Sequence, residues 1–125
     1  MALTNEKQVE APDVYDDGYL RVEHHKFYAA CAGQPLDNLT RKEFLILSRL
    51  VREIGRAVPL LALGLAVWGG GSGFDNKRYN SLRAHVCYLR RKLEPFGLHI
   101  LTRPNIGYQL SNVEHLSDHQ QMDSD

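Results

Sequence analysis

Apolar residues recur at helical spacing in two segments of the chain. The first set comprises Phe44, Leu47, Val51 and Ile54. Before it, Thr40 and Glu43 form a Thr-x-x-Glu capping box, and Gly55 after it is a common helix terminator. The second set comprises Tyr79, Leu82, Val86, Leu89 and Leu93. Each set forms one stripe along a helix, so we expect each helix to pack one face into the core.

A shorter helix is predicted between these two, from Leu60 to Trp68, with Pro59 at its start. The glycine-rich run at 69–73 cannot continue the helix and therefore predicts a loop. The last helix is expected to extend from about Lys77 to Glu94, because Pro95 follows it.

Strand signals flank the three helices on both sides. Upstream, short alternating runs predict a small antiparallel sheet, at residues 19–22, 26–31 and 35–39. Downstream, two runs with turn residues between them predict a hairpin, at residues 99–102 and 108–111. The ends of the chain are polar and aperiodic, which predicts flexible segments at 1–14 and 112–125 around one α+β domain at 15–111.

Charge is unevenly distributed, although Lys plus Arg and Asp plus Glu both number 15. From Asn76 to Leu110 there are seven Lys or Arg residues and one acid, Glu94, which gives the segment a charge of +6. Residues 112–125 contain four acids and no Lys or Arg, which gives −4. A basic segment within a neutral chain favours a polyanionic partner, and the acidic tail is available to cover that segment.

Several classes of protein are not favoured. The N-terminus lacks the apolar run of a secretory signal, and the longest apolar stretch, 57–68, is too short to cross a bilayer. We therefore expect a cytoplasmic protein without membrane contact, in which Cys31 and Cys87 are reduced thiols. No spacing indicates a metal, a cofactor or an enzyme active site, and we expect His24 and His25 to be solvated.

The last helix has an outer face opposite its buried stripe. This face comprises Asn80, Ala84, Cys87 and Arg91. Its flanks comprise Ser81, His85, Tyr88 and Lys92 on one side, and Arg83 and Arg90 on the other. Small residues near the start permit close approach to base edges, and cations near the end suit phosphates. A helix of this kind, followed by a hairpin carrying Arg103, predicts a recognition helix and a wing.

Four segments resemble, in order, the first helix, the second helix with its loop, the recognition helix and the wing of OmpR/PhoB-type response regulators. They read LTRKEFLILSRLV, AVWGGGSGFDN, LRAHVCYLRRKLEP and ILTRPNIGYQLS. The resemblance covers about residues 18–111. It implies a winged helix-turn-helix with an N-terminal four-stranded antiparallel sheet, three helices and a C-terminal β-hairpin wing. It also implies sequence-specific binding of double-stranded DNA in transcription regulation, usually as a homodimer on direct repeats, with the second-helix loop facing RNA polymerase.

The resemblance also implies roles for individual residues. His85 and Arg90 match helix positions that contact the DNA backbone. Ser81 and Tyr88 match groove-facing positions. The wing tyrosine corresponds to Tyr108, and a tryptophan near the DNA backbone corresponds to Trp68. Together with the helix face, these give the candidate DNA-binding residues Trp68, Lys77, Arg78, Asn80, Ser81, Arg83, Ala84, His85, Tyr88, Arg90, Arg91, Lys92, Arg103 and Tyr108.

The chain departs from the family pattern in three places. Asn80 stands where an arginine is usual, with Lys77, Arg78 and Arg83 available to replace its charge. The wing reads Arg103-Pro104-Asn105 rather than the commoner Arg-Gly. The second helix is apolar at positions that are normally charged, which indicates either extra packing against the sheet or a surface for a protein partner. The candidate protein-interaction residues are Leu60, Leu61, Leu65 and Gly71.

Two other interpretations remain open. A winged helix that binds a protein, such as RNA polymerase or a regulator, without strong DNA binding is the main alternative, because fold does not fix function. Cys87 as a redox-sensitive thiol on the DNA-facing surface is the second. The sequence before the predicted sheet is too short to encode a receiver domain with a phosphorylated aspartate, so we expect either a domain excised from a longer protein or control by another route.

Overall fold

The computed structural model describes residues 13–70 and 75–111. Over these residues the chain forms a four-stranded antiparallel sheet, three α-helices and a three-stranded sheet, whose first strand lies between the first and second helices. This order confirms the predicted α+β class and the predicted sheet, helices and hairpin. The predictions for Gly71, for most of each terminal segment and for most of the glycine-rich loop lie outside the described residues.

The N-terminal sheet has the order β1-β2-β3-β4. Its strands are β1 Val14–Asp16, β2 Leu20–Glu23, β3 Tyr28–Cys31 and β4 Gln34–Pro35. The resemblance implied a fourth strand, but the residue pattern did not locate β1, because three residues are too few to show alternation. β1 pairs with β2 through Val14 and Glu23. Leu20 and Val22 alternate towards the core, so this sheet covers one side of the helices.

The helices are α1 Arg41–Arg52, α2 Leu60–Trp68 and α3 Asn76–Leu93. The capping box of α1 is confirmed: the Glu43 amide donates to Thr40 Oγ1 at 3.1 Å, and the Thr40 amide donates to Glu43 Oε1 at 3.0 Å. α1 ends at Arg52, two residues before the predicted last stripe residue. The side chain of Asp75 caps α3 by accepting from the Arg78 amide at 3.0 Å.

The C-terminal sheet has the order β5-β7-β6 and contains the predicted hairpin. Its strands are β5 Ala57–Pro59, β6 His99–Arg103 and β7 Gly107–Ser111. β5, which was not predicted, runs antiparallel to β7 and places the start of α2 beside the hairpin turn, where the Leu60 amide donates to the Ile106 carbonyl at 3.0 Å. The wing is therefore attached directly to the second helix.

One core contains residues from both sheets and all three helices. α3 contributes Leu82, Val86, Leu89 and Leu93, as predicted, whereas Tyr79 at the start of that stripe is only partly buried. Because this stripe packs into the core, α3 is fixed along one face, and its opposite face is exposed to solvent.

Within the described residues, no helix is long and apolar enough to cross a membrane.

The expectation that His24 is solvated was wrong. His24 lies in a short 3₁₀ helix after β2 and is buried in the protein. Its Nδ1 forms a hydrogen bond with Ser48 Oγ of α1. Burial, with smaller effects from Arg52 and His25, lowers the pKa of His24 to about 4. His24 is therefore a neutral residue that joins the N-terminal sheet to α1, whereas His25 is exposed as expected.

Candidate nucleic-acid interface

The outer face of α3 is exposed, as the helical spacing of its residues predicted. Asn80, Ala84, Cys87 and Arg91 are exposed, and so are Arg83 and Tyr88 on its flanks. Ser81 and His85 are partly buried on the flank towards α1. Asn80, Ser81 and Ala84 have short side chains, so the N-terminal half of this face offers close approach, and Arg91 gives the C-terminal half charge.

A groove of about 620 Å³ separates this face from the hairpin. Asn80, Arg83 and Cys87 line its helix side, and Thr102 lines its strand side. Arg90 crosses the base of the groove: Nε donates to the Ile100 carbonyl at 2.9 Å and Nη2 donates to Thr102 Oγ1 at 3.1 Å. Arg90, which the resemblance matched to a DNA-backbone contact, thus uses two of its donors to hold β6 against α3.

Lys92 has a different environment from the one that its position on the helix suggested. Its Nζ donates to Glu43 Oε1 at 2.7 Å and to the Asn38 carbonyl at 2.8 Å. Glu43 is only 2% exposed and the Lys92 side chain is 27% exposed, so this partly buried ion pair joins α3 to the first turn of α1. The ammonium of Lys92 is engaged there in the free protein, and its predicted contact with DNA stays a prediction. The helical wheel could not show which neighbouring element lies against that flank.

The wing presents Arg103 fully and Tyr108 in part. Tyr108 is 7% exposed and packs in the core, and it also lines the groove beside α3, so the contact that the resemblance implies for it stays a prediction. The exposed Arg103 donates from Nε to Gln109 Oε1 at 2.7 Å, and Gln109 Nε2 donates to the Gly55 carbonyl at 3.0 Å. This chain of hydrogen bonds positions the Arg103 guanidinium near the turn, where Asn105 adopts a left-handed backbone with φ of 66°.

Trp68, at the end of α2, has two cations within 6 Å of its ring centroid. Lys42 Nζ from α1 is 5.8 Å from the ring centroid, and Arg78 Cζ from α3 is 5.7 Å from it. Trp68 and Arg78 were predicted site residues, whereas Lys42 was not. Lys42 precedes the buried Glu43 on the exposed side of the first turn of α1, and nothing in the sequence pattern indicates that this turn approaches Trp68. Lys77, the remaining predicted cation at the start of α3, is exposed.

The apolar second helix has two environments. Leu60 is partly buried against the core, which agrees with extra packing. Leu61 is 64% exposed and Leu65 is 58% exposed, so these two side chains form an apolar surface. The candidate protein-interaction residues are therefore divided: Leu61 and Leu65 are accessible, and Leu60 is largely not.

Residues 33–110 match the model of a family described as transcriptional regulatory protein, C terminal. The chain belongs to this family. The membership confirms the OmpR/PhoB-type resemblance and the role in transcription regulation that it implied. The predicted winged helix-turn-helix is confirmed as well.

Curated relatives and solved structures agree with this membership. The chain is 34% identical over 74 residues to transcriptional regulatory protein DltR of Streptococcus agalactiae, covering 58% of this chain and 32% of DltR. It is 33% identical over 111 residues to transcriptional regulatory protein QseB of Escherichia coli O157:H7, covering 87% of this chain and 47% of QseB. The DNA-binding domain of CpxR from E. coli has a TM-score of 0.63 and 26% identity, with 80% of this chain and 97% of that domain covered. The chain thus spans less than half the length of the curated relatives it matches.

Proposed function

We propose that this domain binds double-stranded DNA sequence-specifically, with α3 in the major groove and the β6–β7 hairpin against the adjacent minor groove or backbone. The observation that carries the proposal is the fixed outer face of α3. It has short side chains at Asn80 and Ala84 and a cation at Arg91. Because Arg90 holds β6 against α3, the helix and the wing can contact DNA as one unit.

The wider setting of this proposal follows from the family. We propose that this domain meets its DNA in the cytoplasm and binds direct repeats as a homodimer, as the resemblance to OmpR/PhoB-type regulators implies, with α2 facing RNA polymerase or a second copy. The uncharged outer surface of α2 supports a protein partner on that side, since Leu61 and Leu65 are exposed there.

The direct test is binding to a library of duplex DNA at several salt concentrations. If about four phosphates are contacted, the slope of log affinity against log salt should be near −3.6. Arg91→Ala should weaken binding to all sequences and make the slope about 0.9 less steep, because one phosphate contact is lost. Lys26→Ala is the matched control, since Lys26 is an exposed cation next to the N-terminal sheet. Absence of binding at low salt would contradict the proposal.

The exposed leucines of α2 support a second candidate, a protein-interaction module. Changing Leu61 and Leu65 together to Glu should weaken self-association, or binding to RNA polymerase, at least tenfold, because an apolar contact is replaced by two charges. Folding should be preserved, since both side chains are already in water. Sedimentation of both proteins and capture of purified polymerase would measure this. A monomer before and after the change, with unchanged polymerase binding, would exclude this role.

A further inference from the structure

A cavity of about 490 Å³ lies between the N-terminal sheet and the end of α1. It is lined by β1, by the 3₁₀ helix after β2 and by the end of α1 with the turn that follows. The lining residues are Val14, Tyr15, His24, Val51, Arg52, Glu53, Ile54 and Arg56. None of them lines the groove beside α3. The cavity has a size usual for small-molecule sites, about 300–1,000 Å³, and the proposed DNA contacts do not use it.

His24 has one ring nitrogen that the fold leaves without a partner. Its Nδ1 is bound to Ser48 Oγ, and its Nε2 has no hydrogen bond with any residue in the described ranges. Within those ranges, every fully buried side-chain nitrogen or oxygen has a hydrogen-bond partner. Nε2 is therefore not fully buried, although His24 as a whole is only 8% exposed. Because His24 lines the cavity, Nε2 is available to a ligand there.

The charges around the cavity favour an anion. Arg56 is exposed and forms no ion pair in the described part of the chain. Burial is the main cause of the low pKa of His24, and the positive charge of Arg52 is the next, so this charge acts inside the cavity. The acid in the lining, Glu53, is bound by Arg49 at 2.8 Å.

The remaining wall of the cavity is apolar. Val51 is buried, and Val14 and Ile54 are partly buried beside it. An inorganic anion would leave this wall uncovered, whereas an organic acid can place its charge at the arginines and its body against the wall. Carboxylate oxygens accept strong hydrogen bonds from guanidinium groups, and they also accept from a ring N–H.

We propose that this cavity binds a small carboxylate with an apolar body. Arg56 and His24 Nε2 hold the carboxylate, and Val14, Val51 and Ile54 contact the body. Neutral His24 can donate from Nε2, because its Nδ1 can accept from the Ser48 hydroxyl. The inference is independent of the proposed DNA binding, since the two sites share no residue.

The experiment is an NMR titration of the full chain with benzoate as the probe. Benzamide is the uncharged probe of the same shape, and acetate is the carboxylate without an aromatic body. Benzoate should bind with a Kd on the order of 1 mM, as expected for so small a ligand. The amides of Val14, Ile54 and Arg56 should shift and saturate, whereas those of Asn80 and Ala84 on α3 should not. Benzamide and acetate should each bind at least tenfold more weakly.

Two comparisons locate the carboxylate. Arg56→Gln should weaken benzoate binding at least tenfold and leave benzamide binding unchanged, because only the partner of the charge is lost. The control Lys26→Gln should bind benzoate like the wild type, since Lys26 is an exposed cation that does not line the cavity. In the wild type, benzoate should shift the Nε2 resonance of His24 but not that of the exposed neighbour His25.

Shifts that do not saturate with benzoate would overturn the proposal, and so would equal binding of benzoate and benzamide. Wild-type affinity in Arg56→Gln, or an unchanged His24 resonance, would remove the carboxylate from the place assigned to it. Acetate binding as tight as that of benzoate would contradict the apolar contact. In each case the proposed DNA binding would stand, because it is measured separately on duplex DNA.

Discussion

Replacing Gly107 by alanine is expected to destabilise the domain by about 3 kcal/mol or more, because the added methyl group has no space. A Cβ at Gly107 would lie 2.0 Å from the Val58 carbonyl oxygen and 3.1 Å from the Leu60 amide nitrogen. Both are backbone atoms, so no side chain can rotate away. β5 and β7 would have to separate at the Pro59–Gly107 pair, and the start of α2 would move with β5.

Thermal unfolding followed by circular dichroism measures this effect. For a domain of about 100 residues, 3 kcal/mol corresponds to a fall in Tm of about 12 °C or more. Gly70→Ala is the matched control, because a Cβ there meets only Leu65 Cδ2 at an ordinary 3.6 Å. At a temperature where the Gly107 variant remains folded, DNA affinity should also fall, since the hairpin carries Arg103. A Tm within about 2 °C of the wild type would contradict the close packing.

The elements that could be predicted from the sequence are those with a periodic or local residue pattern. The stripes of α1 and α3, the capping box at Thr40 and the turn between β6 and β7 each have a local signal several residues long. β1 and β5 have three residues each and no such signal. They are identified as strands only in the structure, from their pairing with β2 and β7. Gly107 is one of the turn residues that the sequence predicts between the two strands, yet the structure requires glycine there because a Cβ would clash with the carbonyl of Val58, a residue of another strand.

The candidate site likewise has features that the sequence predicts and features that depend on tertiary packing. Exposure of Asn80, Ala84 and Arg91 follows from helical geometry alone, and the structure agrees with it. Which element faces each flank of α3 depends on tertiary packing, so the sequence could not show that Lys92 pairs with Glu43 or that Lys42 approaches Trp68. The ammonium of Lys92 is paired with Glu43, whereas that of Lys42, in the first turn of α1, lies 5.8 Å from the centroid of the Trp68 ring.

Lys92→Met tests this distinction and is the second change with a large expected effect. The substitution retains much of the apolar stem but removes the ammonium, which leaves the buried Glu43 carboxylate without its cation. Breaking a buried ion pair costs about 3–5 kcal/mol, and we expect the lower end because Lys92 itself is 27% exposed. Urea unfolding should show this loss, whereas Lys26→Met, at an exposed lysine next to the N-terminal sheet, should change stability by less than about 0.5 kcal/mol.

Adding Glu43→Gln to Lys92→Met should restore part of the stability. The amide has no charge to leave unpaired, and its oxygen still accepts from the Thr40 amide as Glu43 does now. The double variant should therefore be more stable than the sum of the single changes predicts, by about 1–2 kcal/mol. Under conditions where Lys92→Met is folded, its DNA salt slope should equal that of the wild type, because Lys92 is bound to Glu43 rather than to phosphate. A less steep slope together with a small loss of stability would instead place Lys92 on the DNA, as its helical position first suggested.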